Sequence, residues 1–362
     1  MARGTVEKRQ ASTVRTVGGR APGFAIEFDA RTAWDFIVSI GLGDAPENDL
    51  TTADREWLTA ARASLDREQR DLVGKLFDSH GTTPIDAWPL LAIDRPDVRV
   101  GADVVRLLEE TPARVLVAAT LRDALTEDVP DDVLERAGAG DTGALDAVEP
   151  LLCSTDIGPM AREFTADSER RMRVAVSIAR TWLAAFSPIE PRLERIHATD
   201  MALRRAEVSE LSPTDAVERI TGGLRLVSEP RLRRVRLAPS VFVRPFNFIH
   251  QSGDWRMFWY PVADEVLETE AGEPSSSMVR LFRALGDPTR LTVLRLLTER
   301  DWYLTELATK VELSKPTMKH HLALLRAAGL VTVIEEGSHT YYRLRRERLN
   351  EGGSELRRYL RA

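Results

Sequence analysis

The chain has 362 residues, 43% of them hydrophobic and 29% charged, a composition typical of a soluble globular protein with two or more domains. No apolar run approaches the roughly 18 residues that a membrane-spanning helix needs, so no membrane partner is predicted. The one cysteine, Cys153, excludes an intrachain disulfide; this fits a reducing compartment and predicts a cytoplasmic location.

The net charge of −6 is divided unevenly along the chain. Residues 275–362 contain 16 Lys and Arg against 10 Asp and Glu, whereas the remainder contains 34 against 46. A protein that binds DNA needs a basic surface, because the negatively charged phosphates attract basic residues and repel acidic ones. The charge pattern therefore predicts double-stranded DNA as the partner of the C-terminal part.

Residues 1–23 are basic and rich in hydroxyl groups, and we predict a disordered leader, with a basic arm that touches DNA as the alternative. Residues 24–262 are predicted to form a helix-rich N-terminal domain that opens with a short strand at 24–29. Apolar residues then recur at helical spacing. The predicted helices cover 33–42, one long segment from 51 or 52 to 77, two segments within 100–125, and 130–137, 142–152, 162–186, 191–208 and 213–220.

Strand-like alternation appears at 234–237, 241–249 and 256–261, and the turn at 251–254 predicts a hairpin between the last two. This region concentrates seven aromatic residues: Phe242, Phe246, Phe248, Trp255, Phe258, Trp259 and Tyr260. The favoured interpretation is a sheet face packed on the helices. The alternatives are a dimer surface or the lining of a pocket for a small apolar ligand. The N-terminal domain is accordingly predicted to be a sensor or a dimerisation scaffold.

Catalytic motifs are absent from the N-terminal region. We find no nucleophile elbow, HExxH, Walker or Rossmann pattern, and His80, His197 and His250 are far apart in sequence. The glycine-rich turn AGAGDTG at 137–143 lacks the Lys and the hydroxyl residue that follow a phosphate-binding loop. The sequence therefore predicts no enzyme and no cofactor, with a bifunctional enzyme and regulator as the weaker alternative.

Residues 263–275 are acidic and then rich in Gly, Pro and Ser, and they are predicted to be a linker to a domain at 276–362. Within that domain we predict helices at 278–285, 287–297, 305–310, 315–327 and 349–360, and strands at 303–304, 330–334 and 340–344. Asp287 and Ser314 are predicted to cap the second and fourth of these helices, and Gly329 to end the fourth. The pattern indicates a winged helix-turn-helix.

The N-terminal half of the helix at 315–327 is where a recognition helix would meet base edges and phosphates. His320 is expected to point outward and His321 inward, and Tyr341 and Tyr342 must face opposite sides of their strand. The predicted DNA-binding residues are Ser314, Lys315, Thr317, Met318, Lys319, His320, His339, Tyr341 and Arg343.

Three segments, ALGDPTRLTVLRLL, LTELATKVELSKPTMKHHLALLRAAGLV and EGSHTYYRL, resemble in order the ArsR family of bacterial winged helix-turn-helix regulators. The resemblance covers about a quarter of the chain. It implies a homodimer that reads an inverted repeat in operator DNA, usually as a repressor. Through PSVFVRP and WYP, the N-terminal region resembles the large partner domain of some actinobacterial-type ArsR-like regulators.

The sequence departs from the metal-sensing members of that family. Those carry a Cys pair near the third helix, where this chain has DWYLTEL at 301–307. His320 and His321 are adjacent and would project about 100° apart on a helix, so they cannot readily grip one ion. No metal site is predicted, and control is expected to come from a non-metal ligand or partner. The predicted fold class is α+β and mostly helical, with a small antiparallel sheet in the N-terminal domain.

Overall fold

The computed structural model describes residues 23–42, 49–76, 87–125, 129–152, 157–227, 232–252, 254–267, 274–336 and 339–361. The predicted leader, apart from Gly23, lies outside the described residues, as do His80 and Cys153. In the described part of the chain there are 17 α-helices and eight strands, which confirms the predicted α+β, mostly helical class. None of the described helices is long and apolar enough to cross a membrane.

The N-terminal region begins with strand β1 and continues with twelve helices among the described residues. Their bounds are β1 (Ala25–Phe28), α1 (Ala33–Gly41), α2 (Thr52–Ala63), α3 (Arg67–Leu76), α4 (Ala87–Ala92), α5 (Gly101–Glu110), α6 (Ala113–Asp123), α7 (Asp131–Gly138), α8 (Thr142–Val148), α9 (Ile157–Ala166), α10 (Ser168–Phe186), α11 (Glu190–Val208) and α12 (Pro213–Ile220). A short 3₁₀ helix, Glu149–Leu151, follows α8.

Two helices that were predicted as single segments are each divided in two. The predicted helix ending at 77 stops after α2, because Asp66 and Gln69 form a reciprocal cap that starts α3. The Gln69 N–H donates to Asp66 Oδ1 at 2.8 Å, and the Asp66 N–H donates to Gln69 Oε1 at 2.9 Å. Likewise, the predicted helix at 162–186 is interrupted at Asp167, whose ψ of 52° is not helical.

After α12 the chain forms strands β2 (Leu224–Val227), β3 (Arg234–Ser240), β4 (Phe248–Ser252) and β5 (Trp255–Pro261). The first sheet has the order β1-β3-β5-β4. The β4–β5 hairpin is antiparallel, as predicted, but β1 pairs with β3 and β3 with β5 in parallel. The sheet is therefore mixed rather than antiparallel throughout. The N-terminal helices connect β1 to its parallel neighbour β3, whereas the connection from β3 to β5 runs through β4.

The predicted strand at 241–249 is wrong for its first seven residues. There the backbone bonds to side chains instead of to a neighbouring strand: the Val241 N–H donates to Asp35 Oδ2 at 3.1 Å and the Phe242 N–H donates to Ser240 Oγ at 3.1 Å. Pro245, which has no N–H, could not serve an interior strand either. Only Phe248 onward extends as β4.

The aromatic residues of this region mostly fill cores, as the favoured interpretation predicted. Phe242 and Trp259 pack among the N-terminal helices, whereas Phe258 and Tyr260 face a second cluster that includes α12 and β2. This division follows the alternation of side chains along β5. Phe248 is the exception, being 40% exposed.

The C-terminal part contains eight further elements: α13 (Ser276–Leu285), α14 (Pro288–Leu297), β6 (Trp302–Tyr303), α15 (Leu304–Lys310), α16 (Lys315–Ala327), β7 (Val331–Glu336), β8 (His339–Leu344) and α17 (Arg346–Tyr359). The predicted caps are confirmed. Asp287 accepts the Arg290 N–H at 2.8 Å, Ser314 accepts the Thr317 N–H at 3.2 Å, and Gly329 has a φ of +73°.

Strand β2 was not predicted, and it joins the wing. The second sheet has the order β2-β7-β8-β6, with β2 parallel to β7. Gly222 and Gly223 direct the chain into β2 with φ values of +69° and +116°, which favour glycine. A Cβ on Gly223 would also lie only 2.9 Å from the Val331 carbonyl oxygen. The division of the chain at 263–275 stays a prediction. Strand β2, which precedes it, and strands β6, β7 and β8, which follow it, belong to one sheet.

Candidate nucleic-acid interface

Helices α15 and α16 form the helix-turn-helix, and their tight turn fixes the angle between them. Glu312 has a φ of +59°, an uncommon conformation for a residue other than glycine. The Leu313 N–H donates back to the Ala308 carbonyl at 2.9 Å, which closes the end of α15. Ser314 then caps α16 immediately, so the N-terminal turn of α16 lies at the protein surface.

Helix α16 has one buried face and one exposed face. Five of the predicted DNA-binding residues lie on the exposed surface: Ser314, Lys315, Thr317, Lys319 and His320. Lys315 and Lys319 are one helical turn apart and so project from the same side. Neither ammonium group has an acidic partner among the residues that the structure describes. The exposed face therefore presents two uncompensated positive charges beside hydroxyl and imidazole groups.

The prediction that Met318 contacts DNA is wrong. Its side chain is 0% exposed and packs in the core of the C-terminal part with Leu322 and Leu325. These residues are spaced i, i+4 and i+7, the pattern of a buried helix face. This spacing was visible in the sequence. Met318 was nevertheless assigned to the DNA-binding face because it lies between Thr317 and Lys319.

The adjacent histidines diverge as predicted. His320 is exposed, whereas His321 turns inward and its Nδ1 lies 3.9 Å from Asp287 Oδ1. Burial lowers the pKa of the His321 imidazole. Within the described residues there is no group of three or more His, Cys, Asp or Glu side chains placed to hold a metal ion.

On the wing, Tyr341 and Tyr342 face opposite sides of β8, as expected. Tyr342 is 8% exposed and joins the core. The Tyr341 ring stacks on Tyr303 with the centroids 4.4 Å apart, and the two hydroxyl groups are hydrogen-bonded at 2.9 Å. Arg343 is engaged with Asp301, its Nη2 lying 2.6 Å from Oδ2. The side chain of His339 lies outside the described residues.

Asp301 and Tyr303 were missed as parts of this site. They belong to the segment around β6, which pairs antiparallel with β8 and so brings residues 301–303 beside 341–343. A two-residue strand is too short to show periodicity, so its pairing was not apparent from the sequence. The consequence is that the predicted wing contacts Tyr341 and Arg343 are both held by partners within the protein.

The N-terminal region also contacts the wing, through β7, on the side away from β6. Thr332 donates to Glu218 Oε1 at 3.0 Å, and Arg256 donates to Glu335 Oε2 at 2.8 Å. The backbone N–H of Val333 donates to the Gly223 carbonyl at 2.6 Å. The acidic charge of Glu335, which would repel DNA, is thereby paired inside the molecule.

A Ser, a His and an Asp meet in the N-terminal core, but their arrangement differs from a nucleophilic triad. His197 Nε2 lies 2.9 Å from Asp35 Oδ2, and the Ser240 hydroxyl donates to the same carboxylate rather than to the imidazole. All three side chains are fully buried. The network ties α1, α11 and β3 together, and a substrate in solvent could not reach it.

The known proteins that this chain resembles match its C-terminal part. A family described as a helix-turn-helix domain matches residues 285–334. The uncharacterized HTH-type transcriptional regulator MJ1325 of Methanocaldococcus jannaschii is 34% identical over 80 residues, which cover 22% of this chain and 90% of that protein. The transcriptional repressor SdpR of Bacillus subtilis is 36% identical over 67 residues, covering 18% of this chain and 74% of that one. A solved structure, an ArsR-like transcriptional regulator from Rhodococcus sp. RHA1, is 32% identical and covers 23% of this chain and 78% of that chain, with a TM-score of 0.22.

Proposed function

The chain belongs, through its C-terminal part, to the ArsR family of helix-turn-helix transcriptional regulators, and on that premise we propose that it is a homodimeric repressor of an inverted-repeat operator. Helix α16 would enter the major groove, and a two-fold axis would place the second copy one helical turn away along the duplex. Because its target is DNA, the protein would work in the cytoplasm.

The exposed face of α16 is the observation that carries this proposal. Lys315 and Lys319 would pair with phosphates, whereas Thr317 and His320 would reach base edges. Ser314 already caps the helix, so its hydroxyl would contribute at most a second hydrogen bond to a phosphate. Met318 takes no part, because it is buried.

The wing would add contacts to the DNA backbone. His339, Tyr341 and Arg343 follow one another along β8, and we propose that they lie beside the minor groove or its phosphates. Arg343 is paired with Asp301 and Tyr341 with Tyr303. DNA would therefore have to compete with these internal partners, which makes the wing contribution smaller than that of α16.

Helices α13 and α17 offer a surface for dimerisation. They pack together so closely that a Cβ on Gly352 would collide with Leu281. Large apolar side chains remain exposed on the two helices and at the end of α17: Val279, Phe282, Leu349, Tyr359 and Leu360. A group of exposed apolar residues of this kind is typical of a protein interface, and the same surface on a second copy would cover it.

The N-terminal region would act as the sensor of a non-metal ligand or partner. The support is its direct pairing with the wing through β2 and β7, which lets a change in the N-terminal region reach the DNA-binding elements. The alternative is a constitutive regulator in which this region is only a dimerisation scaffold. The predicted pocket for a small apolar ligand has less support, because most of its aromatic residues are buried in cores.

The proposal can be tested by selecting the sequences that the full chain binds from a random DNA pool. Footprinting with the full chain then locates the bound site. We expect an inverted repeat whose half-sites are about one helical turn apart and binding that weakens with salt. Equal affinity for the selected and the scrambled sequence at moderate salt would refute it.

Sedimentation tests the dimer with Phe282→Glu, which should yield a monomer. The matched control is Val115→Glu, since Val115 is 38% exposed and Phe282 41% exposed, but Val115 lies on α6 in the N-terminal region. If both variants sediment like the parent protein, α13 does not form the interface.

A further inference from the structure

A cavity of about 600 Å³ lies where the N-terminal region meets the DNA-binding elements. Its walls come from α11, α12 and the segment after β5 on one side, and from α13 and the end of α16 on the other. We call it the junction cavity. Its volume is within the range of about 300–1,000 Å³ that is typical of pockets for small molecules.

Four arginines line the junction cavity, and acidic residues only partly balance them: Arg204, Arg219, Arg280 and Arg326. Glu207 serves two of them, at 2.9 Å from Arg204 and 3.5 Å from Arg219. Asp264 lies 3.7 Å from Arg280 but also pairs with Arg244. Arg204 also lies 3.7 Å from Asp200, Arg280 also pairs with Asp49, and Glu265 is a further acidic residue of the lining. Three of the four arginines therefore have acidic partners.

Arg326 is the exception. No ion pair or hydrogen bond of its guanidinium is found among the described residues. Burial lowers the pKa of this guanidinium. The carboxylate that opposes this effect, Glu335, is already paired with Arg256 at 2.8 Å. A half-buried guanidinium without a partner is less stable than a paired one, and an anion that paired with it would remove that cost.

Three residues of the lining have side-chain polar atoms that are buried without a hydrogen-bond partner: Arg204 Nε, Asn247 Oδ1 and Arg280 Nε. Burial lowers the pKa of Arg280 to about 10. These atoms are not exposed to the cavity itself, so they show incomplete pairing within its walls and are not contacts for a ligand.

The rest of the wall is largely apolar: Leu203, Ala206, Ile220, Pro245, Pro261 and Val262. Such a lining favours a molecule with a hydrocarbon portion over an inorganic ion. We infer that the junction cavity binds a small organic anion, whose carboxylate or phosphate group pairs with Arg326 and whose apolar portion lies against this wall. Guanidinium groups bind both of these anionic groups through paired hydrogen bonds.

The position of Arg326 gives such a ligand access to the DNA-binding elements. Arg326 is in the last turn of α16, whereas Arg204 and Arg219 belong to the N-terminal region. An anion in the junction cavity would thus contact both sides of the chain. Any effect on operator affinity rests on the proposed function, but binding itself does not.

Calorimetry on the full chain, without DNA, tests the binding. The probes are octanoate and octyl phosphate, with octanamide and inorganic phosphate as controls for the charge and for the apolar portion. We expect at least one of the two organic anions to bind the parent protein and Arg173→Gln equally well. Arg173 is an exposed arginine on α10, far along the chain from the cavity residues. Octanamide and phosphate should bind at least tenfold more weakly.

The decisive variant is Arg326→Gln, in which affinity for the organic anion should fall at least tenfold. Without ligand, this variant should unfold at the same temperature as the parent or higher, because a half-buried unpaired charge has been removed. Weaker anion binding together with an unchanged or higher unfolding temperature would show that the variant lost the ligand contact and is still folded. If neither organic anion binds at millimolar concentration, if octanamide binds as well as octanoate, or if Arg326→Gln binds like the parent, the inference is wrong.

A gel shift on the selected operator then separates this inference from the proposed function. Failure of the ligand-free chain to prefer any DNA sequence would refute the proposed function and leave the binding site standing. Anion binding that leaves operator affinity unchanged would refute only the regulatory role of the junction cavity.

Discussion

Arg256 of β5 and Glu335 of β7 form an ion pair at 2.8 Å, with side chains only 14% and 27% exposed. The first belongs to the N-terminal sheet and the second to the wing. The pair therefore connects the two sheets of the molecule across the predicted domain division. It also neutralises an acidic residue on a strand that is proposed to lie near DNA.

This pair should stabilise the protein measurably. In a double-mutant cycle of Arg256→Ala and Glu335→Ala, urea unfolding should give a coupling energy of about 1 kcal/mol, because the pair is partly shielded from water. Arg95 and Asp97, whose side chains are 46% and 51% exposed, form a matched control pair with a smaller coupling. Equal couplings for the two pairs would show that Arg256 and Glu335 do not fasten the sheets.

Lys319 and Thr317 should affect DNA binding in different ways. Lys319→Ala should weaken binding to the selected and the scrambled DNA alike and reduce the slope of log affinity against log salt by about one. Thr317→Ala should instead change the preferred base at one position of each half-site. Fluorescence anisotropy over a range of salt concentrations measures both, with Arg173→Ala as the surface control. Two variants with the same effect on both DNA molecules would contradict the division of roles.

Met318 should matter for stability and not for sequence preference. Met318→Ala leaves a cavity between α16 and its neighbours and should lower the free energy of unfolding by about 2–5 kcal/mol. Met318→Leu conserves volume and should cost less than about 1.5 kcal/mol, with the selected operator unchanged. Urea unfolding and DNA selection measure the two effects. A changed operator for a fully stable Met318→Leu protein would restore Met318 as a DNA contact.

His250 should make the protein sensitive to acid. Burial lowers the pKa of its imidazole from 6.5 to about 4, so the unfolded chain binds a proton at a higher pH than the folded chain does. Stability must therefore fall as the pH drops below about 6.5, and the loss stops near the folded pKa, at a total of about 3 kcal/mol.

The variant His250→Phe should lose this component of the pH dependence. The difference in unfolding free energy between the parent and His250→Phe, measured in urea at several pH values, should change between pH 6.5 and about 4 and be flat above. His320→Phe, at an exposed position, is the control for replacing an imidazole with a phenyl ring. A constant difference for His250→Phe would mean that its imidazole has the same pKa in the folded and in the unfolded chain.

The C-terminal part was predictable from the sequence because its signals are local. Asp287, Ser314 and Gly329 mark helix ends through their own backbone and side-chain chemistry, and all three are found in those roles. The exposed face of α16 follows from the same periodicity. Met318 was misplaced only because position in a motif was given more weight than the spacing of apolar residues.

The rest depended on contacts between distant parts of the chain. Strand β2 has four residues and becomes a strand by pairing with β7, more than one hundred positions later. The irregular segment after β3 is set by Asp35, which no local pattern connects to Ser240. Arg326 appeared to be an ordinary residue of an amphipathic helix, and its place in a cavity arises only where the N-terminal region meets the end of α16.

The pairing of β2 with β7 has a consequence for any attempt to isolate the DNA-binding part. Cutting the chain before α13 would remove β2 and leave the outer edge of β7 without hydrogen-bond partners. Ile334, now 7% exposed and outside the core cluster of the C-terminal part, would lose cover at the same time. A bare apolar edge is a template for pairing with other chains, so such a fragment should self-associate more readily than the whole chain.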